Sequence, residues 1–349
     1  MPPSPGWAAA GAPVFLAAAR DMDRSFALYG VDATGADAFR LPLPARAHAG
    51  ATHPRAPLAV VFARRPGTFA LVVDCAAGRA LARLETPEGR HFMGHGCFSH
   101  DGELLMTAEN GYDDGRGRIG LWSRRGWRRQ GEFLSHGIGP HDILPLPGGG
   151  HVIANGGIAT QPARGPAKLN LATMRPNLAY VDADGRLEEL VELAPDMHRA
   201  SIRHLAVRGD GLVAFAMQFE GDAAEARPLL GLHRRGGPVR LLAAEDEAGR
   251  RSLAGYVGAV AFDAGGARVA ITSPVGGVVQ IFDVASGRLV EAATRPDICG
   301  LGLAGGRLVA TDGLGGIARL DGPAPGLIGA RARAWDNHVI PVDPVGSMS

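Results

Sequence analysis

The sequence predicts an all-β fold, a seven-bladed β-propeller whose N-terminal and C-terminal strands share one blade. A unit made of a short strand, a tight glycine or aspartate turn and a second strand recurs along the chain. Its spacing of roughly 40 to 60 residues is the length of one four-stranded blade. A seventh copy is split between the chain ends. The 51 glycines among 349 residues suit a fold with many turns.

The clearest copy of the repeat lies in residues 93–110. A short strand containing His95 leads to an Asp101-Gly102 turn, and the second strand ends in Glu109 and Asn110. This layout is typical of a β-hairpin. Further copies begin at His48, His141, His204, Gly258 and Cys299.

The split copy predicts how the ring closes. Residues 14–20 look like a second strand without a first strand before it, and residues 334–341 look like a first strand without a second. If both belong to one blade, no sheet edge is left open. We therefore expect a single domain over residues 1–349, with blades at residues 14–44 plus 334–342, 48–86, 95–134, 141–193, 204–243, 258–294 and 299–321.

Composition excludes several classes of function. A formal net charge of +1 gives no general attraction to nucleic acid or to an anionic membrane. No stretch is apolar for long enough to span a bilayer. The three cysteines do not form a Cys-x-x-Cys motif, which argues against a disulfide framework. The sequence also lacks a Gly-x-Ser-x-Gly motif, a P-loop and a dinucleotide fingerprint, which argues against a hydrolytic serine or a nucleotide site.

The distinctive residues of the repeat fall at the start of each first strand. In a propeller this strand lines the central channel, so equivalent positions of all blades meet around one axis. They are His48, His95, His141, His204, Gly258, Cys299 and His338. A single histidine there would be read as a packing residue, but five imidazoles and a thiol around one axis have the composition of a metal site.

Not all of these side chains are expected to bind the same ion, because the mouth of a seven-bladed ring is wide. The neighbours His95, His141 and His204 are the preferred direct ligands. His48 and His338 come next, and Cys299 completes the candidate metal ligands. Asp142 could orient His141, or it could face solvent and only begin the strand. His136 is expected close to the axis.

Polar residues at the same mouth are candidates for holding a substrate or a hydrated ion. Asn110, Asn155 and Gln218 end second strands, and Arg175 and Arg203 could add a site for an anion.

A long loop and two further histidines complete the predictions for the mouth and its surroundings. The loop at residues 157–176 joins the second and third strands of the fourth blade and could form a lid, although it could also be a decoration without chemistry. His53 and His100 are expected in solvent-exposed turns at the opposite ends of their strands.

Several longer motifs resemble one known family, the bacterial "domain of unknown function 1513". They include Met-Gly-His-Gly at 93–96, Ser-His-Gly-Ile-Gly-Pro-His-Asp at 135–142 and Trp-Asp-Asn-His at 335–338. The others are residues 154–158, 168–171, 173–176, 201–207 and 231–236. The resemblance covers nearly the whole chain and implies a seven-bladed propeller.

The resemblance also implies a setting for the protein. Members are exported with a twin-arginine signal, and their genes lie beside imelysin-type iron-regulated and di-haem-peroxidase-like proteins. This implies a periplasmic protein of iron uptake, with iron as the bound metal, copper or haem as alternatives, and such neighbours as partners. Residues 1–7 contain neither a basic start nor an apolar signal core, so the periplasmic location follows from the resemblance alone.

Two other classes of function fit the same residues. The histidine ring could serve a metal-dependent enzyme, either a lactonase-like hydrolase or an oxidase. The propeller could instead be a scaffold for an imelysin-like partner. The resemblance does not supply a reaction, so the sequence leaves catalysis open.

Overall fold

Short apolar strands separated by glycine and aspartate turns form seven antiparallel sheets arranged in a ring. The computed structural model describes residues 6–64, 68–112, 114–160, 167–320 and 326–342. The predicted seven-bladed β-propeller, with both chain ends in one blade, is confirmed.

The strands follow one another blade by blade along the chain. The first blade contains β1 (Phe15–Asp21), β2 (Phe26–Val31) and β3 (Asp37–Leu43). The second contains β4 (Ala47–Thr52), β5 (Leu58–Ala63), β6 (Phe69–Asp74) and β7 (Arg79–Glu85). The third contains β8 (Arg90–Phe98), β9 (Leu104–Gly111), β10 (Gly117–Ser123) and β11 (Arg128–Leu134). The fourth contains β12 (Pro140–Pro145), β13 (His151–Asn155), β14 (Asn177–Val181) and β15 (Leu187–Glu192).

The remaining blades follow the same plan. The fifth contains β16 (Ala200–Val207), β17 (Val213–Phe219), β18 (Leu230–His233) and β19 (Arg240–Leu242). The sixth contains β20 (Ala259–Phe262), β21 (Arg268–Ser273), β22 (Val278–Asp283) and β23 (Leu289–Thr294). The seventh contains β24 (Ile298–Ala304), β25 (Arg307–Asp312), β26 (Gly316–Arg319) and β27 (Gly326–Ala330). The strands β28 (Arg333–Trp335) and β29 (Ile340–Pro341) return to the first blade.

Helical structure is limited to single turns. The one α-helix of the described residues is α1 (Glu247–Arg251), which begins where the Asp246 carboxylate accepts a hydrogen bond from the Gly249 amide at 2.6 Å. Short 3-10 helices lie at Trp7–Ala10, Leu171–Thr173, Pro195–Met197 and Ala223–Glu225. Within the described ranges, no helix has the length and apolarity needed to cross a lipid bilayer.

The last strand of the seventh blade lies beyond the predicted limit of residue 321. It is β27 (Gly326–Ala330), and it pairs with β26. Its sequence, Gly-Leu-Ile-Gly-Ala, is short and contains two glycines. Glycine weakens a strand interior, so the strand signal there is faint.

Aspartate turns also join third and fourth strands of the blades. The Asp32 carboxylate accepts hydrogen bonds from the amides of Thr34 and Ala36 at 2.8 and 3.0 Å. Asp74 and Asp283 do the same in their own blades, at 2.9–3.1 Å and 2.8 Å. These carboxylates satisfy turn amides that would otherwise lack partners.

The ring closes where the two C-terminal strands, β28 and β29, pair with the N-terminal strand β1. Trp335 in β28 lies opposite Ala19, and Ile340 in β29 lies opposite Leu16. Residues 336–339 between these two short strands leave the ladder, so the innermost strand of the first blade is interrupted. The N-terminal Trp7 exposes none of its surface and belongs to the same apolar cluster as Ile340. The closure is therefore sealed by apolar packing as well as by hydrogen bonds.

Large apolar side chains fill the space between neighbouring blades. Phe15, Phe62, Phe215 and Phe282 are fully buried. Burying such a side chain stabilises the fold by about 1.5–3 kcal/mol. The packed blades provide a rigid wall for the residues that face the axis.

Candidate metal centre

The innermost strands of five blades bulge at the ring positions predicted from the repeat. Their pairing with the second strand skips between Ala47 and Gly50, Phe92 and Gly96, Pro140 and Asp142, Ile202 and His204, and Ile298 and Gly300. A β-bulge adds an unpaired residue and re-aims nearby side chains. In the first blade the same effect comes from the gap between β28 and β29, which contains His338.

The five ring histidines form one cluster with His95 at its centre. The centroid of the His95 ring lies 5.2 Å from His48, 4.7 Å from His141, 5.4 Å from His204 and 4.8 Å from His338. His204 and His338 are 4.9 Å apart although two blades without a ring histidine separate them. The rings therefore approach each other more closely than the width of the mouth suggests.

Two sets of three imidazoles have the spacing of a metal site. One consists of His48, His95 and His338, and the other of His95, His141 and His204. Within each set the ligand nitrogens lie within 4.8 Å of one another. Three imidazole nitrogens bound at about 2.1 Å from one ion would be about 3–3.5 Å apart, which small ring rotations would reach. The second set is the direct ligand set preferred from sequence.

Four of the clustered rings have a buried nitrogen without a hydrogen-bond partner. These atoms are Nδ1 of His48 and His141, and Nε2 of His95 and His338. A buried polar atom left unpaired costs about 1–3 kcal/mol. The rings of His48, His141 and His338 lie within 5.2 Å of the His95 ring, and a bound ion that accepts lone pairs would satisfy unpaired nitrogens of this kind.

Burial keeps these imidazoles neutral. It lowers the pKa of His48, His95, His141 and His204 well below the usual value, and charge on neighbouring imidazoles acts in the same direction. The pKa of His338 falls to about 4, again mainly through burial, although Asp336 opposes the shift. Neutral imidazole is the form that binds metal ions.

Asp142 lies beside His95, whereas the sequence predicts that it orients His141. Its carboxylate lies 3.6 Å from Nδ1 of His95. It also accepts hydrogen bonds from the amides of Ile143 and Leu205 at 2.9 and 3.1 Å. Burial raises the pKa of Asp142 to about 7, and the two amide hydrogen bonds limit the rise. With the carboxylate on the Nδ1 side of the ring, the buried and unpaired Nε2 of His95 is the nitrogen available to an ion.

The two remaining ring positions have small side chains. A Cβ atom on Gly258 would lie 2.9 Å from Sγ of Cys299, so these positions are neighbours. Burial raises the pKa of the Cys299 thiol to about 12. Among the described residues, neither histidine set includes this thiol. A thiolate ligand at Cys299 therefore stays a prediction.

The predicted asparagines hold the backbone that leads to His141. The Asn110 side chain accepts a hydrogen bond from the Gly139 amide at 3.2 Å. The Asn155 side chain donates to the Ser135 carbonyl at 2.8 Å and to the Asn177 side chain at 2.9 Å. Both asparagines are fully buried, so the structure gives them a positioning role.

The two predicted arginines lie in different surroundings. Arg175 is 77% exposed and pairs at 2.8 Å with Glu192 on the outermost strand of the fourth blade. Arg203 directly precedes His204 and lies 3.6 Å from the buried carboxylate of Glu220. Lys168 also pairs with Glu220.

The described part of the 157–176 loop is anchored at the mouth. The Asn170 side chain accepts from the Ala159 amide at 2.7 Å and donates to the Gly157 carbonyl at 2.8 Å. Lys168 links the loop to the fifth blade through Glu220. Residues 161–166 lie outside the described residues, and the lid remains a prediction.

Tyr256 is a mouth residue that the sequence reasoning missed. It forms an isolated bridge with Gln218, the predicted polar residue at the end of β17. Burial raises the pKa of the Tyr256 phenol, and Cys299 adds to the rise. A lone tyrosine between blades carries no sequence signal.

Two other histidine predictions are wrong. His53 was expected in solvent but exposes only 2% of its surface, because its Nδ1 accepts turn amides from Arg55 and Ala56 at 3.0 and 2.9 Å. His136 was expected near the axis, but its Nε2 bonds the Gly185 carbonyl in the β14–β15 hairpin at 3.2 Å. His100 is exposed, as predicted.

The buried imidazoles should make stability depend on pH. We expect the free energy of unfolding of the metal-free protein to fall as the pH drops from 7.5 to 5. The unfolded chain takes up protons on histidine below a pKa of about 6.5, while the folded imidazoles stay neutral. For His338 alone, a folded pKa of about 4 corresponds to a loss of about 2 kcal/mol at pH 5.

Asp142 acts in the opposite direction. Its pKa of about 7 in the folded protein means that it keeps a proton that the unfolded carboxyl loses above about pH 4. Asp142 therefore stabilises the folded protein as the pH falls. The five buried histidines destabilise it over the same range, and they outnumber this one carboxyl. Urea unfolding at pH 7.5, 6.5, 5.5 and 5 measures the balance. A constant free energy of unfolding over this range would contradict neutral, buried imidazoles.

Comparison with known proteins agrees with the fold. The structure is similar to Kuenenia stuttgartiensis hydrazine synthase, with a TM-score of 0.62 and 16% identity over 82% of this chain and 86% of that chain. At this identity the likeness shows the fold alone. None of the curated proteins compared with the sequence matches it. The family model described as "Protein of unknown function (DUF1513)" matches residues 41–342, so the chain belongs to the DUF1513 family.

Proposed function

We propose that the protein binds a transition-metal ion at the histidine cluster, as a periplasmic component of iron uptake. The observation that carries this proposal is that His95 and three rings packed against it, His48, His141 and His338, each have a buried nitrogen without a partner. Burial makes the unpaired nitrogens costly in the metal-free protein. Coordination would offset that cost.

The ligand set favours a transition-metal ion that is not held in a porphyrin. Neutral imidazoles suit iron, copper and zinc. The family resemblance to proteins of iron uptake favours iron. Cu²⁺ would nevertheless bind more tightly than Fe²⁺ to the same nitrogens, following the general order of affinities. Ring centroids 4.7–5.4 Å from His95 leave no room for a porphyrin between the rings, which argues against haem.

Calorimetric titration of metal-free protein with Cu²⁺, and with Fe²⁺ under anaerobic conditions, tests the proposal. X-ray absorption of the loaded protein should show nitrogen ligands at about 2.0–2.1 Å with the scattering pattern of imidazole. The variant His100→Ala removes an exposed histidine and serves as the matched control. A first shell of oxygen alone, or no saturable binding, would contradict the proposal. Elemental analysis of protein purified without an affinity metal would identify the native ion.

A metal-dependent enzyme is the second candidate, because one side of the cluster carries small side chains. Gly258 and Cys299 adjoin each other there, and three histidines leave coordination positions open for water or substrate. Turnover of a panel of lactones, with and without the ion, distinguishes this candidate from simple binding. Metal-dependent turnover would favour the hydrolase.

A further inference from the structure

The two histidine sets share one ring, and that ring has one nitrogen available for an ion. Nε2 of His95 is buried without a partner, while its Nδ1 faces Asp142 at 3.6 Å. One imidazole nitrogen binds one ion. The set of His48, His95 and His338 and the set of His95, His141 and His204 therefore cannot be filled at the same time by ions that both use His95.

The two sets differ in contact with solvent at one residue, His48, which is half-buried. His338, His141 and His204 are all buried, at 9%, 7% and 6% exposure. We name His48, His95 and His338 the outer set, and His95, His141 and His204 the inner set. Because His48 is the one partly exposed member, we expect a hydrated ion to reach the outer set first.

A glycine brings the outer ligand close to the central strand. Gly94 has a φ of +99°, and a Cβ there would lie 2.5 Å from Cδ2 of His48. The His48 ring thus packs directly against the backbone that carries His95. Any side chain at position 94 would push His48 away and open the outer set.

We propose that the protein moves a single hydrated divalent transition-metal ion from the outer set to the inner set while His95 stays bound to it. This rests on the metal binding proposed above. In the transfer His48 and His338 leave the ion, and His141 and His204 take their places, so the number of imidazole ligands is unchanged. Exchange of one ligand at a time avoids stripping the ion of all its water in one step. The protein is then a carrier with an entry position and a holding position.

Rapid mixing of metal-free protein with Cu²⁺, followed by visible absorbance, tests the transfer. The native protein should bind one ion per chain in two phases. The rate of the first should rise with Cu²⁺ concentration, and the rate of the second should not. The variant His141→Ala His204→Ala should keep the first phase and lose the second. The variant His48→Ala His338→Ala should capture Cu²⁺ at least about tenfold more slowly yet still bind one ion.

A glycine variant tests the outer set without removing a ligand. Gly94→Ala should slow the first phase and leave the final absorbance spectrum unchanged. Gly211→Ala is the matched control, because Gly211 also has a positive φ, +83°, but a Cβ there would meet nothing within 4 Å. Circular dichroism establishes that each variant is folded.

The outcomes separate the two proposals. Two ions bound per chain, or a concentration-independent phase that persists in His141→Ala His204→Ala, would overturn the transfer while leaving metal binding intact. A single phase in the native protein would overturn it as well. Absence of any binding to the native protein would overturn the proposed function itself.

Discussion

Replacing His95 with alanine is expected to weaken metal binding by at least about 100-fold, more than the loss of any other ring histidine. The larger loss follows from the central position of the His95 ring. His95 is within 4.7–5.4 Å of all four other rings and belongs to both histidine sets. Its loss leaves neither set with three imidazoles.

Loss of a peripheral histidine leaves one set whole. His48→Ala keeps His95, His141 and His204, and His141→Ala keeps His48, His95 and His338. We expect His141→Ala to lose only about tenfold in affinity, and His48→Ala to lose less, because the inner set stays whole. Calorimetry with Cu²⁺ on the three variants, with His100→Ala as control, measures the difference. Equal losses in all three would show that His95 is not the shared ligand.

Removal of the C-terminal strands is expected to abolish the folded state. A chain ending at Ala332 lacks β28 and β29, which supply the innermost strand of the first blade. The edge of β1 would then be unpaired and open to aggregation. His338 would be lost with it. Far-UV circular dichroism and size-exclusion chromatography should show unfolded or aggregated protein.

A peptide and a point variant make the closure prediction specific. Adding a peptide of residues 333–342 to the truncated chain should restore some folded protein, because this segment is the missing strand pair.

In the full chain, Trp335→Ala should lower the free energy of unfolding by about 3–5 kcal/mol. The buried Trp335 ring packs edge-on against Tyr29 at 5.7 Å and lies under the Arg333 guanidinium at 5.0 Å. Trp335→Phe keeps an aromatic ring there and should cost less. Native-like urea unfolding of the truncated chain would contradict the closure.

The architecture could be predicted because its signals are local and repeated. Alternating strands, aspartate turns such as Asp32 and Asp283, and a fixed spacing each repeat several times, so weak signals add up. The split first blade followed from the same repeat, since one copy lacked a first strand and another lacked a second. Strand β27 was missed because its glycine-rich sequence carries little strand signal, and its place is set by pairing with β26.

The sequence by itself determined that five histidines occupy equivalent positions of a closed repeat, and such positions meet around one axis. Only the tertiary structure decided that His95 lies at the centre, that Asp142 lies beside it, that His136 bonds a hairpin away from the axis, and that His53 is buried under a turn. These features depend on β-bulges and on approaches between blades, as where Gly94 admits the His48 ring. Such contacts join residues far apart in the chain. Their geometry follows from packing between blades, which no local pattern of residues encodes.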